Sequence, residues 1–446
     1  MAERREASAS HQPLLLRGGL VVDASGSRRA DVAVVDGRIA AVGPDLATPS
    51  GGHVLDVGGC TVAPGLVDLH AHLRQPGKEE AETVETGARA AALGGFTAVL
   101  AMPNTDPPLD SAAAVREVLE LGAGVPCQVR VAGAITCGRR GEILAPLSEM
   151  ADLGVRLFTD DGAGVQDGRL MRRALEYSSD LGVTLAQHCE DDLLAGGGHM
   201  HEGEWSSRLG IPGVPAAAEE VMVLRDLALL RLTASPFRPG QPGARLHFQH
   251  LSTAGSLAAV RAARAEGLAV TAEAAPHHFT LTDAAVSSYD PVFKVNPPLR
   301  SSTDVEAVKV ALADGTLDAI ATDHAPHPPE DKELPFDQAP PGMLGLETAL
   351  ALAMTELDLP FEAIAGLLSW QPARVAGLSG AHGGPVAEGR PANLCVVDPA
   401  ATWEVDPLRL ASRSRNTPYA GRRLTGRVRH TVLFGEPVVV DGEAQR

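Results

Sequence analysis

The sequence predicts a (β/α)8 barrel of the TIM type, joined to a small β-sandwich domain that both chain termini build. Three observations lead to this α/β fold class. Eight β-like runs lie within residues 65–380. Alanine-rich stretches with a helical pattern, such as AETVETGARAAALG, separate most of these runs, as expected for parallel strands with crossover helices. Short β-like runs punctuated by glycine occupy both ends of the chain.

The two ends of the chain share one sequence pattern, in which short β-like runs are separated by glycine-containing turns. Residues 1–13 are basic and rich in small residues, and Arg17 interrupts the run that follows, so we expect a disordered tail and not a signal peptide. Residues 14–64 contain runs such as LLLRGGLVVD and ADVAVVDGRIAAVG with Asp-Gly and Gly-Gly turns, which predict a small antiparallel sheet. Residues 381–446 repeat this pattern in ANLCVVDP and VRHTVLFGEPVVVDGE, so we expect the two ends to pair into one β-domain.

The barrel is predicted over residues 65–380. Its β-runs, in chain order, are GLVDLHAH, FTAVLAMPN, VRVAGAIT, VRLFTDD, VTLAQHCE, RLHFQHLS, AVTAEAAPHH and DAIATDHAPH. An open, doubly wound sheet is the alternative, but no G-x-G-x-x-G follows the first run, which makes its dinucleotide-binding version weak.

Composition excludes several classes of partner. The net charge of −18 repels phosphate backbones and anionic membranes, so we expect neither nucleic acid nor a membrane as partner. No run approaches the ~18 apolar residues that a membrane span requires. The 5 cysteines are scattered and form no C-x-x-C pair, which argues against a disulfide framework and favours a reducing cytoplasm.

Polar side chains close most of the barrel runs, at the end where barrel enzymes build their sites. His70 and His72 close the first run, and because residues i and i+2 of a strand share a face, both can hold one metal ion. The other polar residues at run ends are Asn104, Asp160, Asp161, His188, His250, His277, His278, Asp323, His324 and His327. Of these, His277, His278 and His324 are expected to support the site or to be structural. Each histidine alone is more often structural, but this convergence predicts a two-metal zinc site.

These motifs resemble a known family. The H-A-H pair, the separate histidines of runs five and six and the T-D-H-A-P-H of run eight resemble the amidohydrolase superfamily. The set DLHAHLRQPG, AMPNTDP, FTDDG, KVNPPLR, ATDHAPH and PGMLGLETAL is similar to bacterial class I dihydroorotases over nearly the whole chain. The resemblance implies a zinc-dependent enzyme of de novo pyrimidine (UMP) biosynthesis that reversibly cyclises N-carbamoyl-L-aspartate to L-dihydroorotate.

The end of run four separates this family from its relatives. Hydantoinases, allantoinases and dihydropyrimidinases bridge two zinc ions with a carboxylated lysine there, whereas this run ends in FTDDG and contains no lysine. The resemblance implies an aspartate bridge. Asp161 fits the family's spacing to the strand-five histidine better and Asp160 is the alternative; the residue that is not the ligand would form a turn before Gly162.

The resemblance also assigns roles. It implies two zinc ions per subunit, with the ligands His70, His72 and Asp323 for the first, His188 and His250 for the second, and Asp161 and a hydroxide between them. Asp323 would act as general base when the hydroxide attacks the ring amide, and then as general acid toward the departing nitrogen.

Substrate contacts are predicted around the barrel mouth. Arg74 continues the alternation of His70 and His72, and its guanidinium suits a substrate carboxylate, although a surface ion pair is the alternative. The resemblance adds Asn104, Asn296, His327, Pro341 and Gly342. A turn-forming role beside Pro297 is the alternative for Asn296.

The proline-rich segment 327–345 is predicted to be an irregular loop that helps enclose the substrate. Two positions depart from the family's pattern, because Gln75 stands where an acidic residue is usual and Pro341 where many members have an aromatic residue. Neither belongs to the implied metal set, so they affect the expected loop contacts and not the reaction.

Two other functions compete with this one. A hydantoinase or allantoinase is disfavoured by the missing run-four lysine and by Arg74 and Asn104. A catalytically silent partner that scaffolds aspartate transcarbamoylase is disfavoured because every expected metal ligand is present. The sequence leaves open a homo-oligomer and an association with aspartate transcarbamoylase; the partner it does imply is a small-molecule substrate.

Overall fold

The computed structural model describes residues 12–233 and 243–446. Of the predicted disordered tail, residues 1–11 lie outside the described residues. Pro13, the last tail residue, accepts a hydrogen bond from the backbone N–H of His53 at 2.7 Å.

The strands alternate with helices through the middle of the chain and dominate its two ends. The strands are β1 (Leu14–Asp23), β2 (Gly26–Val35), β3 (Arg38–Gly43), β4 (His53–Asp56), β5 (Thr61–Pro64), β6 (Leu66–Ala71), β7 (Phe96–Ala101), β8 (Gln128–Val131), β9 (Leu157–Phe158), β10 (Thr184–Gln187), β11 (Met200–His201), β12 (Gly213–Val214), β13 (Arg245–Phe248), β14 (Val270–Ala274), β15 (Ala319–Ile320), β16 (Leu394–Glu404), β17 (Arg423–Leu433), β18 (Glu436–Val440) and β19 (Glu443–Ala444).

The α-helices are α1 (Val84–Leu93), α2 (Ala112–Leu121), α3 (Leu147–Asp152), α4 (Gly168–Leu181), α5 (Asp192–Ala195), α6 (Glu204–Leu209), α7 (Ala217–Thr233), α8 (Ala254–Ala265), α9 (Pro276–Thr280), α10 (Ser302–Ala313), α11 (Pro329–Lys332), α12 (Ala349–Glu356), α13 (Phe361–Ala365) and α14 (Gln371–Val375). Short 3₁₀ turns span Cys137–Arg139, Asp283–Ser288, Pro291–Phe293 and Pro407–Arg409, and a π-helical turn spans Gly366–Trp370.

Eight parallel strands form the barrel and confirm the predicted fold class. β6, β7 and β8 are hydrogen-bonded in that order, and a second sheet has the order β15-β14-β13-β10-β9. Two parallel bridges close the ring: Ala71 pairs with His324, and Gly133 pairs with Phe158. Each of the eight predicted runs overlaps one barrel strand, and β8 begins one residue before its run, at Gln128.

The barrel strands β6 and β7 are covered on both faces. Every residue of β6 and β7 is buried, as expected for parallel strands that face the barrel interior on one side and helices on the other. The outer helices pack small side chains against them. In α1, Thr83 caps the first turn through its hydroxyl and the buried face consists largely of alanines such as Ala88 and Ala91, which allows the helix to approach the sheet closely.

The two chain ends pair into one sheet as the sequence predicts, but the prediction that residues 14–64 are purely antiparallel is wrong, because β1 pairs in parallel with β4 and β5. β5 and β16 run antiparallel, with Val62 opposite Val396, inside a nine-stranded sheet that contains strands from both termini. Leu16, Val32 and Val396 belong to one buried apolar cluster in this sheet. The sheet begins at Leu14 and returns to the barrel through Gly65, whose N–H donates to Asn393 O at 2.9 Å.

The prediction that segment 327–345 is wholly irregular is wrong at one place. Pro329–Lys332 form the short helix α11. Proline is favoured at the first helical position, and Glu330 and Asp331 lie in the first turn, where carboxylates interact favourably with the helix dipole. Among the described residues, no helix is both long and apolar enough to span a bilayer.

Candidate metal centre and substrate pocket

Six predicted metal ligands converge at the carboxyl ends of the barrel strands. They are His70 at the end of β6, His72 just after it, Asp161 after β9, His188 after β10, His250 after β13 and Asp323 after β15. All six are at most 6% exposed. The structure therefore brings residues from opposite ends of the barrel sequence into one buried cluster, as the barrel topology requires.

Asp161 lies between the four histidines. Its Oδ1 atom is 3.2 Å from His70 Nε2, 3.5 Å from His188 Nδ1 and 3.6 Å from His250 Nε2. Its Oδ2 atom is 3.6 Å from His72 Nε2. One carboxylate thus faces imidazole nitrogens of both predicted metal positions.

Asp323 approaches the first histidine pair from the other side. Its Oδ1 atom lies 3.1 Å from His72 Nε2 and 3.5 Å from His70 Nε2. His70, His72 and Asp323 place one ligand atom each within 4.8 Å of one another, and so do His70, Asp161 and His250. The two groups share His70, so each of them could hold a cation, and neither includes His188.

The donor set fits zinc. Imidazole nitrogen and carboxylate oxygen are its usual ligands beside thiolate. His188 Nδ1 and His250 Nε2 point at each other at 2.9 Å, and His70 Nε2 is buried without a hydrogen-bond partner. A buried ring nitrogen without a hydrogen-bond partner is costly, and a cation beside His70 Nε2 would satisfy it.

The electrostatics keep both aspartates ionised. Burial alone would raise the pKa of Asp161, but the charge of His70 and hydrogen bonds from His188 and His250 bring that pKa well below its ordinary value. Burial likewise opposes ionisation of Asp323, and the hydrogen bond from His72 with the charges of His70 and His72 lowers its pKa. Both carboxylates are therefore available as metal ligands or proton acceptors at neutral pH.

Further side chains orient the first histidine pair. His70 Nδ1 lies 3.1 Å from Glu273 Oε1, and Asn104 Oδ1 accepts a hydrogen bond from His72 Nδ1 at 2.9 Å. Each contact directs the opposite nitrogen, Nε2, toward the two aspartates. Sequence reasoning did not single out Glu273, although a carboxylate inside the apolar run AVTAEAA is a signal that could have found it.

Replacing Glu273 with glutamine should weaken metal binding by about 10- to 100-fold, because the carboxylate that orients His70 becomes a neutral amide. The variant should be titrated with a chelator and its retained zinc compared with that of wild type. Asp23→Asn is the matched control, since Asp23 is also fully buried but lies in β1 of the terminal sheet. Equal zinc retention in wild type and the Glu273 variant would contradict the orienting role.

The neighbouring aspartate has a different environment. Asp160 accepts hydrogen bonds through Oδ1 from the backbone N–H groups of Ile135 at 2.8 Å and Thr136 at 3.0 Å. The Thr136 hydroxyl donates to its other oxygen. Asp160 thus joins the end of β9 to the segment after β8, while Asp161 faces the histidines. This arrangement supports Asp161 as the bridging residue, which stays a prediction.

Three of these site residues adopt left-handed backbone conformations. The φ angles are +33° at His250, +47° at Asp323 and +61° at Arg74. Such angles are unfavourable for residues with a Cβ atom and concentrate at functional sites. The chain turns sharply at these positions, directly after β13 and β15 and beyond β6.

Four of the predicted substrate residues, Arg74, His327, Pro341 and Gly342, form a rim beside the ligand cluster. Arg74 Nε donates to Pro326 O at 3.1 Å, and Arg74 Nη2 lies 3.3 Å from His327 Nε2. His327 Nε2 is also 2.9 Å from Pro341 O. Gly342 has a φ of +139°, and a Cβ atom there would lie 2.9 Å from His327 Nε2. A glycine is therefore required where this loop meets His327.

Charge at this rim is positive. Burial lowers the pKa of Arg74 to about 10, which leaves the guanidinium charged at neutral pH. Burial and the nearby charge of Arg74 lower the pKa of His327 to about 2, so this imidazole is neutral. Arg74 therefore contributes a local positive charge at this rim in a protein of net charge −18.

The remaining polar candidates have separate positions. Asn296 Nδ2 donates to Glu190 Oε1 at 3.0 Å. Glu190 follows the proposed ligand His188 by two residues. His277 Nε2 lies 3.9 Å from Asp323 Oδ2. His278 Nε2 contacts Pro297 O at 3.0 Å, and His324 Nε2 lies 3.3 Å from Glu82 Oε2.

The chain is similar to several known proteins. A sequence model described as "Dihydro-orotase-like" matches residues 59–238. A protein named "Dihydroorotase" from Pelotomaculum thermopropionicum is 48% identical over 435 residues, which cover 96% of this chain and 99% of that protein. A protein of the same name from Streptomyces coelicolor is 48% identical over 438 residues, with 96% and 99% covered. The solved structure "L-Hydantoinase (Dihydropyrimidinase) from Arthrobacter aurescens" has a TM-score of 0.85 at 24% identity, with 97% of each chain covered, and shows the shared fold.

Proposed function

The chain belongs to the dihydroorotase family, and from that premise we propose that it interconverts N-carbamoyl-L-aspartate and L-dihydroorotate, the reversible ring closure of pyrimidine biosynthesis. It is an enzyme, a hydrolase that acts on a small cyclic amide. The observation that carries the proposal is the buried cluster in which Asp161 and Asp323 face shared histidines beside Arg74.

We assign two zinc positions to this cluster. The ligands are His70, His72 and Asp323 for one position and His188 and His250 for the other, with Asp161 between them. When bound, zinc ions there would polarise the ring amide carbonyl and make a water molecule nucleophilic near neutral pH. The two overlapping ligand groups and the unpartnered nitrogen of His70 support this assignment.

Asp323 is the proposed general base and general acid. Its carboxylate is ionised and lies at the edge of the ligand cluster, 3.1 Å from His72 Nε2. In ring opening, it accepts the proton that the attacking water loses. It then gives this proton to the ring nitrogen as the carbon–nitrogen bond breaks, and ring closure follows the reverse order.

Arg74 is the proposed partner of the substrate carboxylate, because its charged guanidinium lies at the rim in contact with His327. We assign hydrogen bonds to the substrate to Asn104, Asn296, His327, Pro341 and Gly342. Asn104 reaches the ligand cluster through its contact with His72, and His327 contacts both Arg74 and the Pro341 carbonyl.

The test of the function is the absorbance of L-dihydroorotate mixed with the purified, zinc-loaded protein. We expect a rapid loss of the signal of the cyclic substrate, and a chelator should abolish it. Hydantoin and allantoin serve as matched cyclic amides that lack the carboxylate for Arg74. Turnover of either one without turnover of dihydroorotate would replace the proposal with a hydantoinase or allantoinase. A protein that binds no zinc and turns over none of them would be a silent scaffold.

Replacing Arg74 with lysine should raise KM for L-dihydroorotate by about 10-fold or more, since an ammonium cannot make the bidentate contact of a guanidinium. The value of kcat should change less, because the metal ligands are untouched. Arg89→Lys is the control: Arg89 lies on α1 and pairs with Glu85 at 2.8 Å. An unchanged KM in the Arg74 variant would remove this residue from the substrate site.

Location and assembly are further parts of the proposal. All five cysteines are free, four of them buried, which supports a reducing compartment such as the cytoplasm. A homo-oligomer and a complex with aspartate transcarbamoylase stay predictions. Light scattering of the purified protein, alone and with a transcarbamoylase, measures both.

A further inference from the structure

We propose that Asn416, a residue of the C-terminal part of the chain, is a positioning residue that fixes the two arms of the substrate rim relative to each other. The first arm, residues 325–327, follows β15 and ends at His327. The second arm, residues 341–344, carries Pro341 and Gly342. This inference rests on the proposed function, because it concerns the residues assigned there to the substrate.

The side chain of Asn416 binds both arms at once. Its Oδ1 atom accepts a hydrogen bond from the backbone N–H of His327 at 3.1 Å. Its Nδ2 atom donates to Ala325 O at 2.9 Å and to Gly342 O at 3.1 Å. The backbone carbonyl of Asn416 accepts a fourth bond, from the N–H of Leu344 at 3.2 Å. An amide is suited to this place because it offers an acceptor and two donors on one rigid group.

The two arms have little else between them. Ala325 N donates to Met343 O at 2.8 Å, and a single bridge pairs His324 with Met343. Beyond that pair, His327 Nε2 meets Pro341 O. Asn416 therefore makes two side-chain bonds to the first arm and one to the second. The other described contacts between the arms are one backbone hydrogen bond and one imidazole contact.

The position of Asn416 is itself well fixed. The residue is 5% exposed, so it does not exchange these bonds for water. The segment just before it is tied to the barrel: the N–H of Arg413 donates to Glu82 Oε1 at 2.9 Å and the Ser414 hydroxyl donates to Ala81 O at 2.7 Å. Because the segment before Asn416 is fixed to the barrel, Asn416 can fix the distance between the two arms. Catalysis is sensitive to displacements of about 1 Å.

Loss of the Asn416 side chain should affect substrate binding more than the metal centre. No hydrogen bond of Asn416 that the structure describes goes to one of the six proposed metal ligands. Its loss should separate His327 from Gly342 and leave zinc binding unchanged. A purely structural asparagine would lower stability without this selectivity.

The test compares Asn416→Asp with Asn393→Asp. Aspartate keeps the shape but replaces the two Nδ2 donors with an acceptor that faces two carbonyls. Asn393 is the matched control because it is 3% exposed and bonds similarly, donating to Ala381 O at 3.0 Å and accepting from Phe434 N at 2.6 Å. It lies near Gly65, at the opposite end of β6 from the site.

We expect Asn416→Asp to raise KM for L-dihydroorotate on the order of 10-fold, with a smaller change in kcat and unchanged zinc content, because buried donors are lost between the arms. Asn393→Asp should lower the thermal midpoint and leave KM within about twofold of wild type, since its amide contacts no part of the rim. If the carboxylate that replaces the Asn416 amide prevents folding, Asn416→Ser repeats the comparison without a buried charge.

Amide hydrogen exchange separates this inference from the proposed function. Exchange at residues 325–344 should accelerate in the Asn416 variant and not in the Asn393 variant, whatever the substrate of the enzyme is. If wild-type protein does not turn over dihydroorotate but exchange still accelerates only in the Asn416 variant, the proposed function is contradicted and the positioning role is supported. Equal changes in KM and exchange for both variants, or none at the rim, would overturn the role of Asn416.

Discussion

Turnover of L-dihydroorotate should fall by about a thousandfold or more when Asp323 is replaced with alanine, since a positioned general acid–base group contributes roughly 10²–10⁴-fold. The expected loss is large because the same carboxylate has two proposed duties. It takes the proton from the attacking water, and it returns that proton to the ring nitrogen. Its neighbours His70 and His72 keep its pKa low against the effect of burial, so it is an ionised acceptor before the reaction starts.

The Asp323 experiment must separate lost proton transfer from lost metal. Asp323 is also a proposed ligand, so zinc content and the thermal midpoint should be measured on the same preparation. Asp323→Asn is the second variant, because the amide can keep an oxygen near the metal but cannot accept the proton. We expect the asparagine variant to retain more zinc than the alanine variant and to be equally inactive. Retention of a tenth of wild-type turnover in either variant would contradict the acid–base role.

The barrel was predictable because most residues of its strands are buried. Short apolar runs bounded by glycine and helical stretches mark every barrel strand, including β9, which consists of only Leu157–Phe158. The polar residues at the ends of the runs were predictable for the same reason, because carboxyl ends of parallel strands meet at one face. The helix α11 was missed because four residues are too few to produce a periodic pattern.

The supporting contacts could not be predicted from the sequence. Glu273 reaches His70 across 203 positions of the chain, and Asn416 reaches His327 across 89. Such pairs depend on how the strands are placed around the barrel and on where the C-terminal segment crosses its mouth. Neither fact is expressed in the local pattern around Asn416. A single sequence therefore locates ligands at strand ends more readily than the residues that hold these ligands in position.

Zinc content should distinguish the adjacent residues Asp161 and Asp160. Asp161→Ala should lose most of its zinc, because its carboxylate is the only one that faces nitrogens of His188 and His250 as well as His70 and His72 among the contacts described. Asp160→Ala should retain zinc but unfold at a lower temperature. It leaves the N–H groups of Ile135 and Thr136 without an acceptor, at a cost of about 1–3 kcal/mol for each buried donor.

The two alanine variants are each other's control, since they remove the same group one position apart. Metal analysis after dialysis against a weak chelator measures the first effect, and thermal unfolding of the metal-free proteins measures the second. Metal-free protein is the appropriate state for unfolding because a bound ion would add its own stabilisation to the folded state. Equal zinc loss in both variants would mean that Asp160 supports the metal through the backbone of β9. Greater loss in Asp160→Ala would instead make Asp160 the bridge, and Asp161 would then be a carboxylate that pairs with histidines but does not join the two positions.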